Sequence, residues 1–146
     1  MRIVIGAPGN GASLKDELKS QLEADDRVSA VIDLSTANIT YPQVSFQAAQ
    51  SILDGNADRG ILVCGTGVGT AIAASKVDGV RAATAHDLVT VRGSIENYDA
   101  QLLCMGQNVI APVEAKALVD VWLDLRHDPA SNYGQRLDEI AAYEAQ

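Results

Sequence analysis

Cys64-Gly65-Thr66-Gly67-Val68-Gly69 is the stretch of the chain whose residue types and spacing best suit chemistry. The short apolar run Ile61–Val63 leads into it as a buried strand would, and an alanine-rich helical segment from about Thr70 to Lys76 follows. A thiol between a strand end and a helix amino terminus can be held as thiolate by the helix dipole and by backbone N–H groups. The glycines Gly65, Gly67 and Gly69 leave those N–H groups uncovered, so an oxyanion or phosphate can approach them closely. The plain alternative is a buried cysteine ahead of a tight turn, since free Cys often serves as a small core residue. Two other glycine motifs are excluded. The spacing is not G-x-G-x-x-G, and Ser75-Lys76 stands in the wrong order for a P-loop.

Strand-like and helix-like stretches alternate around this block, the pattern of a parallel sheet with helices on its faces. Strands are expected at Arg2–Gly6, Val28–Leu34, Gly60–Val63, Val80–Ala85 and Gln101–Met105. Helices are expected at Ala12–Ala24, from Tyr41-Pro42 to a stop at Gly55, after Gly69, over His86–Glu96 and from Pro112 to Leu125. The turn-rich segment Asp128–Asn132 precedes a polar tail helix from about Tyr133 to Gln146. Its thin stripe of Leu137, Ile140 and Ala141 is too small for a core of its own, so it should pack on the sheet or on a partner subunit.

The 146 residues suffice for one domain, residues 1–146, and a net charge of −8 argues against nucleic acid or an anionic membrane as partner. An anionic substrate must then be held by a local cluster of donors. Cys64 and Cys104 are the only cysteines and both accompany apolar runs, which suits a reducing compartment. With no signal-peptide pattern and no apolar run of spanning length, the expectation is a cytoplasmic protein.

Cys64-Gly65-Thr66-Gly67-Val68-Gly69, Ile72-Ala73-Ala74-Ser75-Lys76 and Gly79-Val80-Arg81-Ala82 together resemble the ribose-5-phosphate isomerase B / galactose-6-phosphate isomerase family. Tyr41-Pro42, Met105-Gly106, Val121-Trp122-Leu123 and Gln135-Arg136 extend the resemblance over nearly the whole chain. It implies an α/β, Rossmann-like three-layer sandwich on a five-stranded parallel sheet. It further implies a homodimer with composite active sites, whose C-terminal helix packs on the partner, and leaves open the pairing of dimers into a tetramer. The reaction implied is aldose–ketose isomerisation of a phosphorylated sugar through an enediolate, with no metal and no cofactor. By the same resemblance Cys64 is the proton-transfer base, and the catalytic Thr66 with adjacent backbone N–H groups forms the oxyanion site. Gly65, Gly67, Val68 and Gly69 then line that site, and Gly69 opens the following helix.

The chain also departs from the family. Pro8-Gly9 stands where the family has an Asp-His pair, Asn97 replaces its second His, and Tyr98 the Asn after it. An Arg after strand five falls at Asn108, and another, four residues before Arg136, falls in Ser131-Asn132. The ring-opening groups and much of the phosphate clamp are therefore missing. A tetrose 4-phosphate has O4 esterified and cannot close to a furanose, so an enzyme for it needs no ring-opening pair. The expected substrate pair is erythrulose 4-phosphate and erythrose 4-phosphate. The alternatives are ribose 5-phosphate isomerisation and a non-catalytic phosphosugar-binding subunit. Arg136, Arg92 and Lys15 are the candidate phosphate ligands, helped by N–H groups around Asn10. Tyr41, His86 and Asn97 complete the expected substrate site, and Cys104 should be silent toward activity. His127, between Arg126 and Asp128, reads as solvated surface.

Overall fold

The computed structural model describes all residues, 1–146. Five strands form one parallel sheet in the order β2-β1-β3-β5-β4: β1 Arg2–Gly6, β2 Ala30–Asp33, β3 Arg59–Cys64, β4 Ala82–Thr84 and β5 Leu102–Gly106. The helices are α1 Ala12–Glu23, α2 Tyr41–Leu53, α3 Val68–Ser75, α4 Leu88–Glu96, α5 Pro112–Asp124 and α6 Asn132–Glu144. A single turn of 3-10 helix, Gly9–Gly11, precedes α1. No helix is long and apolar enough to cross a membrane.

Period-two alternation along the central strands sorts their side chains into two cores. Ile3, Ile5, Ile61, Val63, Leu103 and Met105 pack with Leu14, Leu18 and Leu22 of α1, with α4, and with Val119 and Trp122 of α5. Val4, Leu62, Leu102 and Cys104 face the other way, onto Val44, Ala48 and Ala49 of α2 and Ala74 of α3. The result is the three-layer α/β sandwich expected from the resemblance.

The helix signals act as read. Thr40 and Gln43 form a reciprocal cap at the start of α2, and Gly55 follows its end at φ 74°. Several boundaries differ from expectation. β2 and β4 are shorter than their apolar runs, because each is an edge strand paired on one side only. α3 starts at Val68 with Gly67 as its cap, so Gly69 lies inside the first turn rather than at its opening. His86 belongs to the loop before α4, whose first turn is capped by Asp87 accepting from Thr90 N–H at 2.7 Å.

α6 touches its own chain sparingly. Glu144 accepts from Gly79 N–H at 2.6 Å, and Tyr133 meets Tyr98 edge-on with centroids 5.9 Å apart. Ile140 and Tyr143 stay exposed, and Gly134 is the helix's only buried residue.

Candidate active site

From β1 the chain crosses to β2 on one side and to β3 on the other. The loops after β1 and β3 therefore part at the sheet's switch point, where open α/β sheets bind ligands. The loop after β5 closes the third side. Gln107 N–H donates to Cys64 O at 2.8 Å and Asn108 N–H to Gly65 O at 3.0 Å, while Gln107 Oε1 accepts from Leu14 N–H at 2.9 Å. Three loops far apart in sequence are thus tied round the Gly-rich block.

Gly67 is the hinge of that block. Its φ of 78° is left-handed, and a Cβ there would come within 2.9 Å of the Met105 carbonyl carbon. Only glycine fits both demands. The turn aims Gly67 N–H at Cys64 Sγ, 3.2 Å away. Thr70 Oγ1 lies 3.6 Å from the same sulfur. Cys64 is 5 % exposed, and burial by itself would raise its pKa. Hydrogen bonds from Thr70, Thr66 and Gly67 outweigh that, and the thiol's pKa falls below its ordinary value. Here the thiolate is stabilised by fixed N–H and O–H dipoles.

Cys104 behaves oppositely. It sits in the middle of β5, wholly buried, and burial pushes its thiol up to about 12. The two cysteines occupy the same sheet face, yet only Cys64 is suited to deprotonation.

Around Cys64 the structure gathers several of the expected residues. Thr66 is exposed and accepts from Val68 N–H at 3.2 Å. Tyr41 lies over Gly69, with Cε2 3.1 Å from where a Cβ would stand. The amides of Asn10 and Asn108 converge on Gly65, 3.1 and 3.3 Å from its Cβ position. His86 reaches the site's edge, its Nε2 accepting from Gly106 N–H at 2.8 Å. Burial lowers the His86 pKa against the pull of Asp87, and the ring is a neutral acceptor.

Other candidates lie elsewhere within the protomer. Asn97 lines a separate cleft of about 320 Å³ between β4 and α4, beside Thr84 and Thr90. Arg92 is exposed and paired with Glu96 at 2.8 Å, and Arg136 is exposed on α6 beside Glu139. Lys15 corrects the sequence expectation. It is 6 % exposed and bound to Asp33 at 2.9 Å and Asp16 at 2.7 Å, so its charge holds α1 to the end of β2. His127 is likewise no free surface group, since its Nδ1 bonds Glu96 O at 2.8 Å. No group of three or more His, Cys, Asp or Glu side chains is assembled to hold a metal ion.

Sequence reasoning missed Thr70, Thr84 and the placement of Asn108. Thr84 donates to Gly67 O at 2.8 Å and so braces the hinge from β4. Thr70 carries a signal that was available, a hydroxyl one residue past the glycines in an otherwise alanine-rich helix. Asn108 carries no such signal, because its position depends on how β5 docks beside β3.

A cysteine whose pKa is lowered by surrounding N–H and O–H donors, at the switch point of a parallel sheet, has the parts of an enzyme that moves a proton next to a carbonyl. The Ribose/Galactose Isomerase family matches residues 3–140. The chain belongs to that family and is a sugar-phosphate isomerase. It is 45 % identical over 148 residues to D-erythrulose-4-phosphate isomerase 2 of Mycolicibacterium smegmatis, covering 99 % of this chain and 97 % of that protein. Identity to ribose-5-phosphate isomerase B of Escherichia coli is 34 %, over 98 % of this chain and 96 % of that one. The solved structure of Clostridium thermocellum ribose-5-phosphate isomerase B superposes with a TM-score of 0.93 at 35 % identity, covering 99 % of this chain and 98 % of that one.

Proposed function

We propose that this isomerase interconverts erythrulose 4-phosphate and erythrose 4-phosphate, as a homodimer in the cytoplasm. The observation that carries the reading is the kind of group set around Cys64. Thr66, Asn10 and Asn108 offer a hydroxyl and two amides that can hydrogen-bond substrate oxygens, and His86 has its Nε2 engaged by Gly106 N–H. Such a site serves an open-chain substrate that needs no ring opened. The 45 % likeness to an enzyme named for D-erythrulose 4-phosphate supports the same substrate.

Cys64 thiolate removes a proton from C1 of the ketose, and the electron pair moves through C2 onto the carbonyl oxygen. Those N–H groups of the Gly65–Gly69 block that Cys64 Sγ and Thr66 Oγ1 do not engage hold the enediolate oxygen as its charge develops. The Thr66 hydroxyl relays the O1 proton to O2, and Cys64 returns its proton to C2, leaving the aldehyde at C1. Asn10 and Asn108 grip hydroxyls or phosphate oxygens across the mouth. The exposed face of α6, with Tyr133, Ile140 and Tyr143, supports packing against a second copy. Arg136 on the same helix supplies phosphate-binding charge across that interface.

The second reading, ribose 5-phosphate isomerisation, is favoured by the likeness to ribose-5-phosphate isomerase B proteins. The test compares kcat/KM for erythrose 4-phosphate and ribose 5-phosphate under matched conditions, since that ratio measures discrimination. Erythrose 4-phosphate should be the better substrate. A preference for ribose 5-phosphate would replace the first reading with the second.

A further inference from the structure

Thr70 stands in the first turns of α3 with no exposed surface. Its Oγ1 is 3.6 Å from Cys64 Sγ and 3.4 Å from Gly67 O. The Gly67 carbonyl also accepts from Thr84 Oγ1, at the shorter distance of 2.8 Å, so it keeps a donor when the Thr70 hydroxyl turns to the sulfur. An ionised Cys64 has no proton to give, so in that pair the Thr70 hydroxyl is the donor.

We propose that Thr70 is a positioning residue for the isomerisation: its hydroxyl donates to Cys64 Sγ and holds the sulfur beside the Gly67 N–H. The inference rests on Cys64 as the base. Thr70 Oγ–H and Gly67 N–H hold the Cys64 sulfur from two sides. No proton moves along these bonds; they orient the sulfur and favour its ionised form. The groups facing Cys64 are Thr70 and the backbone N–H groups from α3 and its cap, and Cys104 from β5; His86 is reached only through Gly106.

The test follows the pH dependence of iodoacetamide alkylation at Cys64, mapped by mass spectrometry, in Thr70→Val, Thr70→Ser and Cys104→Ala proteins. Thr70→Val should raise the thiol titration by about one pH unit, as loss of one stabilising hydrogen bond implies. It should lower kcat about tenfold, with KM within about twofold. Thr70→Ser should restore both, and Cys104→Ala should leave both unchanged. If Thr70→Val does not fold, Thr70→Ala removes the same hydroxyl. A hydroxyl-less variant that titrates like the parent, or a Ser variant that rescues neither quantity, overturns the proposal. Alkylation needs no turnover. An active Cys64→Ala protein would therefore refute the base assignment alone, leaving the titration result to stand or fall separately.

Discussion

Gly106 N–H donates to His86 Nε2 at 2.8 Å, which makes the imidazole a neutral acceptor protonated on Nδ1 and fastens the loop before α4 to the end of β5. An NMR titration should place the His86 pKa below the ordinary 6.5, because burial disfavours its charged form. The sign follows from the lowered folded value. The unfolded chain binds the proton more readily, so the contribution is complete above the unfolded pKa and fades as pH falls toward the folded one. His86→Ala leaves the buried Gly106 N–H without its partner and should cost about 1–2 kcal/mol in chemical denaturation.

Removal of the thiol should separate chemistry from folding. Cys64→Ala should lower kcat by roughly 10²–10⁴, the range for loss of a general base, while the melting temperature stays close to the parent's. Inactivating alkylation should map to Cys64, whose pKa is lowered, and spare the buried Cys104. Turnover near the parent's in Cys64→Ala would remove the assignment.

Gly67→Ala tests the hinge. The φ of 78° and the 2.9 Å approach to Met105 together oppose a methyl group there. Strain of about 1–3 kcal/mol is expected, with the N–H swung away from Cys64 Sγ. Stability and kcat should therefore fall together, whereas a fully active Gly67→Ala enzyme would mean the N–H is not needed.

Asp33 ties the buried Lys15 to the end of β2 and also bonds Lys19 at 3.2 Å. Burial pushes its carboxyl up, but hydrogen bonds from Lys15, Ser35 and Lys19 bring it down to about 2. This group is depressed in the folded state, so its stabilisation is present above the unfolded pKa near 4 and is lost as pH falls toward 2. Asp33→Asn should destabilise the protein by about 2 kcal/mol at neutral pH and flatten that acid limb in urea titrations.

The α6 face carries the prediction about assembly. Arg136→Ala should raise KM roughly 10- to 150-fold, corresponding to the ~1.5–3 kcal/mol of a charged hydrogen bond, with a smaller change in kcat. Light scattering should find a dimer. A fully active monomer would separate Arg136 from any shared site.

The sequence alone determined the layers and the chemical centre. Short continuous apolar runs at Ile3–Ile5, Ile61–Val63 and Leu103–Met105, each within a stretch too short for a helix and bounded by glycine, asparagine or aspartate, read as strands buried on both faces. The Cys64–Gly69 block likewise specifies a thiol facing bare N–H groups, because glycine spacing is local information. Tertiary structure decided which distant side chains share that centre. Asn108 reaches Gly65 because β5 docks beside β3 in register, Cys64 opposite Gly106. Lys15 is withdrawn from substrate binding because β2 brings Asp33 beneath α1. Thr70 comes beside the Cys64 sulfur because α3 folds back over the sheet face on which Cys64 lies. Strand order and register are set by long-range packing, and no local periodicity encodes which loop ends will meet.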